Sequence, residues 1–191
     1  MSTVYCALVH YPVRDREGQL ATASITNIDV HDIARSAQTF GLAGMFVVSP
    51  IDAQRALVVR ILEHWRIGAG KRRMPHRSEA LSVCQPAESI ASVREQITTT
   101  HGRAPRVVAT AARSDASFRV QRFAEVRAEL EANVAQDQPW LILFGTGHGL
   151  IDDVLLSADV LLEPISGTAD YNHLSVRAAA AIVFDRLFGA R

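Results

Sequence analysis

Two glycine-containing segments in the last third of the chain could together hold a flat, uncharged ring. Residues 145–150 read GTGHGL and residues 163–170 read EPISGTAD, and each follows an apolar, strand-like segment. Glycine allows tight turns and lets backbone amides approach a ligand closely. We expect two adjacent strand ends to present these loops, with apolar walls from Leu143, Ile165 and Leu174. The same segments would also serve as two purely structural turns.

A dinucleotide fingerprint is the competing interpretation of residues 145–150. The pattern G-x-G-x-x-G needs glycine where Leu150 stands, and Asp152 and Asp153 would face a pyrophosphate with the wrong sign of charge. The motif also comes late in the chain instead of opening a first βαβ unit. These departures disfavour an oxidoreductase that uses NAD or NADP.

The charge is balanced overall but unevenly distributed along the chain. Twenty basic and twenty acidic residues cancel, yet residues 1–54, 55–127 and 128–191 carry −2, +8 and −6. Within the middle part, residues 65–77 contain five permanent cations and no acid on a stretch punctuated by Gly and Pro. Such a loop suits a polyanion, because Arg and Lys release counterions from phosphates, although a solvated linker has the same composition. The RNA-binding candidates are Arg66, Lys71, Arg72, Arg73 and Arg77.

The sequence contains no motif for metal binding or for serine-hydrolase chemistry. Seven histidines and two cysteines show no metal-ligand spacing, so we expect no metal, and no Ser-His-Asp arrangement is evident. Cys6 and Cys84 are predicted to be buried thiols. No apolar run approaches the roughly 20 residues of a membrane span, and the first ten residues lack signal-peptide features. These features predict a cytoplasmic protein without a membrane partner.

Alternating strand-like and helix-like segments must position these candidates. The strands are predicted at 4–9, 45–50, 80–84, 106–110, 140–144 and 159–162, and the helices at 29–40, 52–67, 87–100, 118–134 and 174–188. Strands that are apolar throughout and separated by helices are typical of a mainly parallel sheet covered on both faces. The sequence therefore predicts one α/β domain over residues 1–191, with its ligand at the carboxyl ends of the strands.

Three motifs resemble, in order and spacing, those of the SPOUT superfamily of S-adenosylmethionine-dependent RNA methyltransferases. They are residues 27–41, residues 143–150, and the paired segments 164–167 and 174–179. From Val4 to Gly189 the chain is similar to small bacterial stand-alone members. The resemblance implies a parallel sheet with a deep C-terminal trefoil knot, in which the two glycine loops hold S-adenosylmethionine. It also implies a homodimer whose active site lies where the last predicted helix, at 174–188, packs against the partner.

The resemblance and the loop positions together suggest the cofactor-binding residues. They are Thr110, Leu143, Gly145, Thr146, Gly147, Pro164, Ile165, Gly167, His173 and Leu174. The helix predicted at 174–188 carries an apolar stripe that would suit either a dimer contact or packing on the sheet of its own subunit. The stripe consists of Val176, Ala179, Ala180, Val183 and Leu187.

This sequence matches only some of the catalytic residues of the superfamily's ribose-methylating branch. Arg35 matches that branch's arginine, but Asp29 stands six positions before it, where the branch has Asn, and Asn27 stands eight before. Ser175 matches the final serine of the third motif, while His173 replaces its asparagine. The acceptor is therefore a ribose 2′-hydroxyl or a base nitrogen.

Three further side chains could act beside them. His31 and His173 are candidate bases at neutral pH, because imidazole titrates near that range, and each could equally be structural. Asn172 could orient an acceptor base or cap the final helix. The expected function is methyl transfer to tRNA or rRNA, and the alternative is an RNA-binding knot without transferase activity.

Overall fold

The computed structural model describes residues 2–113, 120–133, 137–168 and 171–190. Within these ranges the strands are β1 (Val4–Val9), β2 (Val13–Arg14), β3 (Leu20–Ala21), β4 (Gly44–Val48), β5 (Cys84–Ala87), β6 (Arg106–Thr110), β7 (Val120–Gln121), β8 (Trp140–Gly145) and β9 (Val160–Leu162). The helices are α1 (Asn27–Thr39), α2 (Asp52–Arg66), α3 (Ala69–Arg73), α4 (Pro75–Ser82), α5 (Ile90–His101), α6 (Phe123–Ala132), α7 (Asp152–Ser157) and α8 (Val176–Phe188).

Seven strands form one sheet in the order β5-β4-β1-β8-β6-β9-β7. All strand pairs described within this sheet are parallel. The short strands β2 and β3 form a separate antiparallel hairpin between β1 and α1. Helices cover both faces of the sheet, which is why strands such as β8 are apolar at nearly every position. The predicted α/β class and parallel sheet are confirmed.

The two faces of the sheet have separate cores. One face packs against α1, α2, α4, α6 and α8, and the other packs against α5, α7 and residues around the hairpin. Phe184 of α8 lies at the centre of the first core, where its ring centroid is 5.5 Å from Phe144 and 6.2 Å from Phe40. Burying one such side chain contributes roughly 2 to 3 kcal/mol. This core holds α8 firmly against its own subunit.

The packing of α8 bears on the two interpretations of its apolar stripe. Ala180, Val183 and Leu187 are buried in the first core with Phe184, and Val176 packs against its edge. This packing favours the interpretation in which the stripe packs within its own subunit, and a dimer contact through α8 stays a prediction. The opposite side of α8 includes Ile182, which is half-buried, and Asp185, which is exposed.

Several predicted element boundaries also change. Residues 80–84 are not a strand, because α4 continues to Ser82 and β5 begins only at Cys84. The basic stretch is not an open loop but lies largely on α3 and α4. Helix α6 begins at Phe123, since Val120–Gln121 pairs with β9, and residues 114–119 lie outside the described part of the chain.

The two glycine loops do not follow adjacent strands. Strand β6 lies between β8 and β9 and pairs with both of them. The trefoil knot stays a prediction, since it depends on the chain path before α8, where residues 169–170 are outside the described ranges. The single-domain assignment over 1–191 also stays a prediction. Among the described residues, no helix is long and apolar enough to cross a membrane, and no group of three possible metal ligands occurs.

Candidate active site

A cavity of about 690 Å³ opens at the carboxyl ends of β6, β8 and β9. Its size lies within the range of small-molecule sites, roughly 300 to 1,000 Å³. Four segments form most of its wall: residues 110–113 at the end of β6, residues 144–150 at the end of β8, residues 162, 163 and 165 at the end of β9, and residues 172–177 leading into α8. The cavity therefore lies where parallel α/β sheets usually bind their ligands.

The glycine loop after β8 is held in a compact turn. The backbone N–H and the hydroxyl of Thr146 both donate to the carbonyl of Val9, at 3.0 and 2.9 Å. A Cβ on Gly145 would come within 2.5 Å of the Leu150 nitrogen, so only glycine allows the loop to close there. Gly149 has φ of 96°, a left-handed conformation that glycine adopts without strain. These constraints favour glycine at both positions.

The β2–β3 hairpin braces this loop from the other side. Arg14 and the loop exchange two backbone hydrogen bonds, from Arg14 N–H to the Gly149 carbonyl and from His148 N–H to the Arg14 carbonyl. The side chains of Arg14 and Arg113 both pair with Asp152 at the start of α7. Residues 12–24 carry no recognisable motif, yet Ala23 and Ser24 line the cavity.

Strand β6 and the segment before α8 close the far wall. The Thr110 hydroxyl donates to the Leu143 carbonyl at 2.8 Å, which joins the ends of β6 and β8. The Asn172 amide donates to the Ala112 carbonyl at 2.9 Å, so Asn172 does not cap α8. The cap is Ser175, whose hydroxyl accepts from the Ala178 N–H at 3.3 Å.

The cavity brings together most of the predicted cofactor residues. Its lining includes Thr110, Gly145, Thr146, Gly147, Ile165, His173 and Leu174, together with the catalytic candidates Asp29, Asn172 and Ser175. Leu143 does not form a wall, because successive strand residues point to opposite faces and its side chain belongs to the second core. Phe144 lines the cavity instead, and strand alternation could have indicated this. Pro164 and Gly167 are not among the lining residues.

Asp29 forms an ion pair with Arg177 at the edge of the cavity. The Arg177 guanidinium donates to the Asp29 carboxylate at 3.0 Å and lies 3.7 Å from Asp32, which ties α8 to α1. The Thr26 hydroxyl, at the N-cap of α1, donates to the other Asp29 oxygen at 2.5 Å. Asp29 is buried, and these partners fix its carboxylate at the start of α1. Arg177 is not among the predicted site residues.

Arg35 lies outside the cavity of its own chain. It is exposed on α1, six residues after Asp29, which places it about 9 Å further along the helix and about 240° around its axis. Among the described residues no acid pairs with its guanidinium. Asn27 is exposed at the first turn of α1, and its carbonyl is 2.8 Å from the Nδ1 atom of His31. His31 in turn contacts Trp65 edge to face.

A buried histidine lies beside the glycine loop. His10 directly follows β1 and is 0% exposed, and its Nδ1 atom is 3.4 Å from the Thr146 hydroxyl. Burial lowers the pKa of His10 to about 4, outweighing the Asp29 charge and the carbonyls of Ala23 and Ser24, which act to raise it. The ring is therefore neutral near pH 7. His10 is not among the predicted site residues, because a lone histidine after a strand carries no motif.

The predicted RNA-binding residues separate into two kinds. The Arg66 guanidinium donates to the carbonyls of Leu81, Ser82 and Cys84, at 3.4, 3.1 and 2.5 Å, and thus caps the end of α4. Arg77 stacks over the Trp65 ring at 5.1 Å.

Lys71, Arg72 and Arg73 are exposed on α3. No ion pair involves them within the described part of the chain. They are therefore available to phosphates, whereas Arg66 is committed to the fold.

The fold and the cavity define an α/β protein that binds a small molecule at the carboxyl ends of parallel strands. Residues 3–189 match the model of a family described as SAM-dependent RNA methyltransferase, where SAM is S-adenosylmethionine. The chain belongs to this family. The expected family and its cofactor are thereby confirmed.

Individual proteins are similar to this chain in sequence or in fold. A tRNA (guanine-N(1)-)-methyltransferase of Nitratidesulfovibrio vulgaris Hildenborough is 45% identical over 97% of this chain, which spans 42% of that relative's length. Two crystal structures share the fold. TrmJ from Z. mobilis ZM4 has a TM-score of 0.60 at 15% identity, over 100% of this chain and 70% of its own. A TrmH/SpoU tRNA modifying enzyme from A. aeolicus has a TM-score of 0.54 at 13% identity, over 97% and 72%.

Proposed function

We propose that this chain transfers a methyl group from S-adenosylmethionine, bound in the cavity above β6, β8 and β9, to a nucleotide of tRNA. The observation that carries the proposal is the cavity, which gathers the glycine loop, the β6 end and the segment before α8 in a chain that matches the family over residues 3–189. A tRNA substrate rests on the name of the 45% identical relative, and rRNA is the next substrate class to test. We expect the reaction to take place in the cytoplasm.

The residues that line the cavity fit S-adenosylmethionine. Phe144, Ile165 and Leu174 offer apolar surface for an adenine ring, and the loop at 145–150 offers backbone groups. Thr110, Thr146 and His173 would complete the binding residues. The bound molecule supplies an electrophilic methyl group on a sulfonium. The protein must align the acceptor with that carbon, and positioning alone accounts for a large share of such rate enhancements.

Arg35 is proposed to act on the cavity of a second copy. It is exposed, lacks an acidic partner in the described residues, and lies outside its own cavity. A homodimer that presents α1 of one protomer to the cavity of its partner would bring Arg35 to the acceptor. A guanidinium stays protonated at neutral pH, so its role there is to hold a phosphate or to lower the pKa of the acceptor. Asn27, on the same exposed stripe, would accompany it.

The acceptor atom is a ribose oxygen or a base nitrogen. The name of the relative makes guanine N1 the first candidate, and that relative is more than twice as long as the matched segment. Asn172 and Ser175 lie at the cavity and are the candidates to contact the acceptor nucleotide. The exposed cations at 71–73 and Arg77 would hold the rest of the RNA.

Binding and transfer test this proposal separately. Calorimetry with S-adenosylmethionine should show binding, and transfer of labelled methyl groups to unmodified tRNA should follow, with mass spectrometry identifying the nucleoside. Binding of RNA without any transfer to tRNA or rRNA would instead support an RNA-binding knot. Absence of cofactor binding at millimolar concentration would contradict the enzyme assignment.

Mixed dimers test the position of Arg35. R35A should abolish transfer but retain cofactor binding, while R60A, an exposed arginine on α2, serves as the matched control. Ile165→Asp places a charge in the apolar wall and should block cofactor binding. Co-expressed R35A and I165D chains should regain about a quarter of wild-type activity, because half of randomly mixed dimers carry one complete site. No recovery would show that Arg35 does not act across subunits.

A further inference from the structure

His10 is a buried residue at the base of the glycine loop. It follows β1, which runs between β4 and β8. Its backbone N–H donates to the Val48 carbonyl and its carbonyl accepts from the Ala23 N–H, each at 2.9 Å. Its ring lies 3.4 Å from the Thr146 hydroxyl, and the Asp29 charge acts on its pKa. One buried residue therefore joins the ends of β1 and β4 to the glycine loop.

The hydrogen bonds of Thr146 set the tautomer of this ring. The Thr146 hydroxyl gives its hydrogen to the Val9 carbonyl at 2.9 Å, so it presents a lone pair to the His10 Nδ1 atom 3.4 Å away. Nδ1 is then the protonated nitrogen, and it donates to Thr146. The ring is neutral, because burial disfavours its charged form.

His10 also carries an energetic penalty that an apolar residue would avoid. Among the described residues no group lies within ordinary hydrogen-bond geometry of its buried Nε2 atom, although the carbonyls of Ala23 and Ser24 act on the pKa of the ring. A buried polar atom in this state destabilises the fold, whereas a leucine of similar size would fill the same space without that loss. The imidazole is therefore not explained by its contribution to the stability of the fold. Its contact near the cofactor cavity is with the Thr146 hydroxyl.

We propose that His10 is a positioning residue of the cofactor site, which fixes Thr146, and through it the loop at 145–150, relative to the ends of β1 and β4. This inference rests on the proposed function. His10 is wholly buried and contacts no substrate, so its effect passes through Thr146. Removal of the contact should loosen the loop that holds S-adenosylmethionine while leaving Arg35 in place.

A double-mutant cycle tests the inference by calorimetry with S-adenosylmethionine. H10L and T146V should each raise the dissociation constant about fivefold to tenfold, which is the effect expected of one hydrogen bond. The double variant should be no weaker than the weaker single variant, because both substitutions remove the same contact. At saturating cofactor the kcat of H10L should stay within about twofold of wild type, so the loss appears in KM for the cofactor.

Conservative variants separate positioning from folding. H10N, whose amide can donate to the hydroxyl, and T146S, which keeps the hydroxyl, should both bind within about twofold of wild type. If H10L does not fold, H10M takes its place in the cycle, because T146V alone also removes the Thr146 hydrogen bond to the Val9 carbonyl. Unchanged affinity in H10L or T146V, or fully additive losses, would overturn the inference. Absence of binding by the wild-type protein would instead refute the proposed function itself.

Discussion

The stability of this protein should depend on pH through His10. The pKa of its ring falls from 6.5 in an unfolded chain to about 4 in the fold, because burial disfavours the charged form. Between these values the unfolded chain binds more protons than the folded one, so acid favours unfolding. His10 has almost no effect on the free energy of unfolding above about pH 7.5 and lowers it progressively as the pH falls from about 6.5 toward 4.

The size of this effect follows from the same shift. This shift in the pKa of His10 lowers the free energy of unfolding by at most about 3 kcal/mol, reached below about pH 4, since one pKa unit is about 1.4 kcal/mol. Between pH 7.5 and pH 5 the loss attributable to His10 should be about 2 kcal/mol. Other groups titrate in this range as well, so the informative quantity is the difference between wild type and H10N.

Urea unfolding at half-unit pH steps would measure that difference. H10N should show a shallower decline in the free energy of unfolding, by about 2 kcal/mol across the interval. H76N is the matched control, because His76 is exposed and its imidazole is solvated in both states. Parallel pH profiles for wild type and H10N would refute the assignment of a buried neutral ring.

Further predictions concern the basic surface and the thiols. Changing the cations at 71–73 to glutamine should weaken RNA binding and reduce its logarithmic salt slope by up to about 3, with cofactor affinity unchanged in calorimetry; an unaltered slope would exclude these side chains from phosphate contact. R66Q should instead lower the free energy of unfolding by roughly 1 to 3 kcal/mol in urea titrations, because it leaves carbonyls at the end of α4 without a donor, and it should change the salt slope little. Cys6 and Cys84 are buried, and burial raises the pKa of both thiols, that of Cys84 to about 12. Both should therefore resist a thiol reagent at pH 8 until the chain unfolds, and rapid labelling of the native protein would contradict this.

Sequence patterns were sufficient where a property is local. Apolar runs such as Met45–Val48 and Leu141–Phe144 are short and follow helical segments, so they indicate buried parallel strands without knowledge of their neighbours. Gly145 and Gly149 mark a turn that few other residues tolerate. The order and spacing of the motifs at 27–41, 143–150 and 164–179 identified the family that the comparison then confirmed.

Tertiary structure decided everything that depends on which segments meet. Strand order is not encoded in any one window, so only the fold shows that β6 separates β8 from β9. Charge patterning could not distinguish Arg66, which caps a helix, from its exposed neighbours on α3. His10 had no sequence signal at all, because its neutrality and its contact with Thr146 arise from burial between segments more than 130 positions apart.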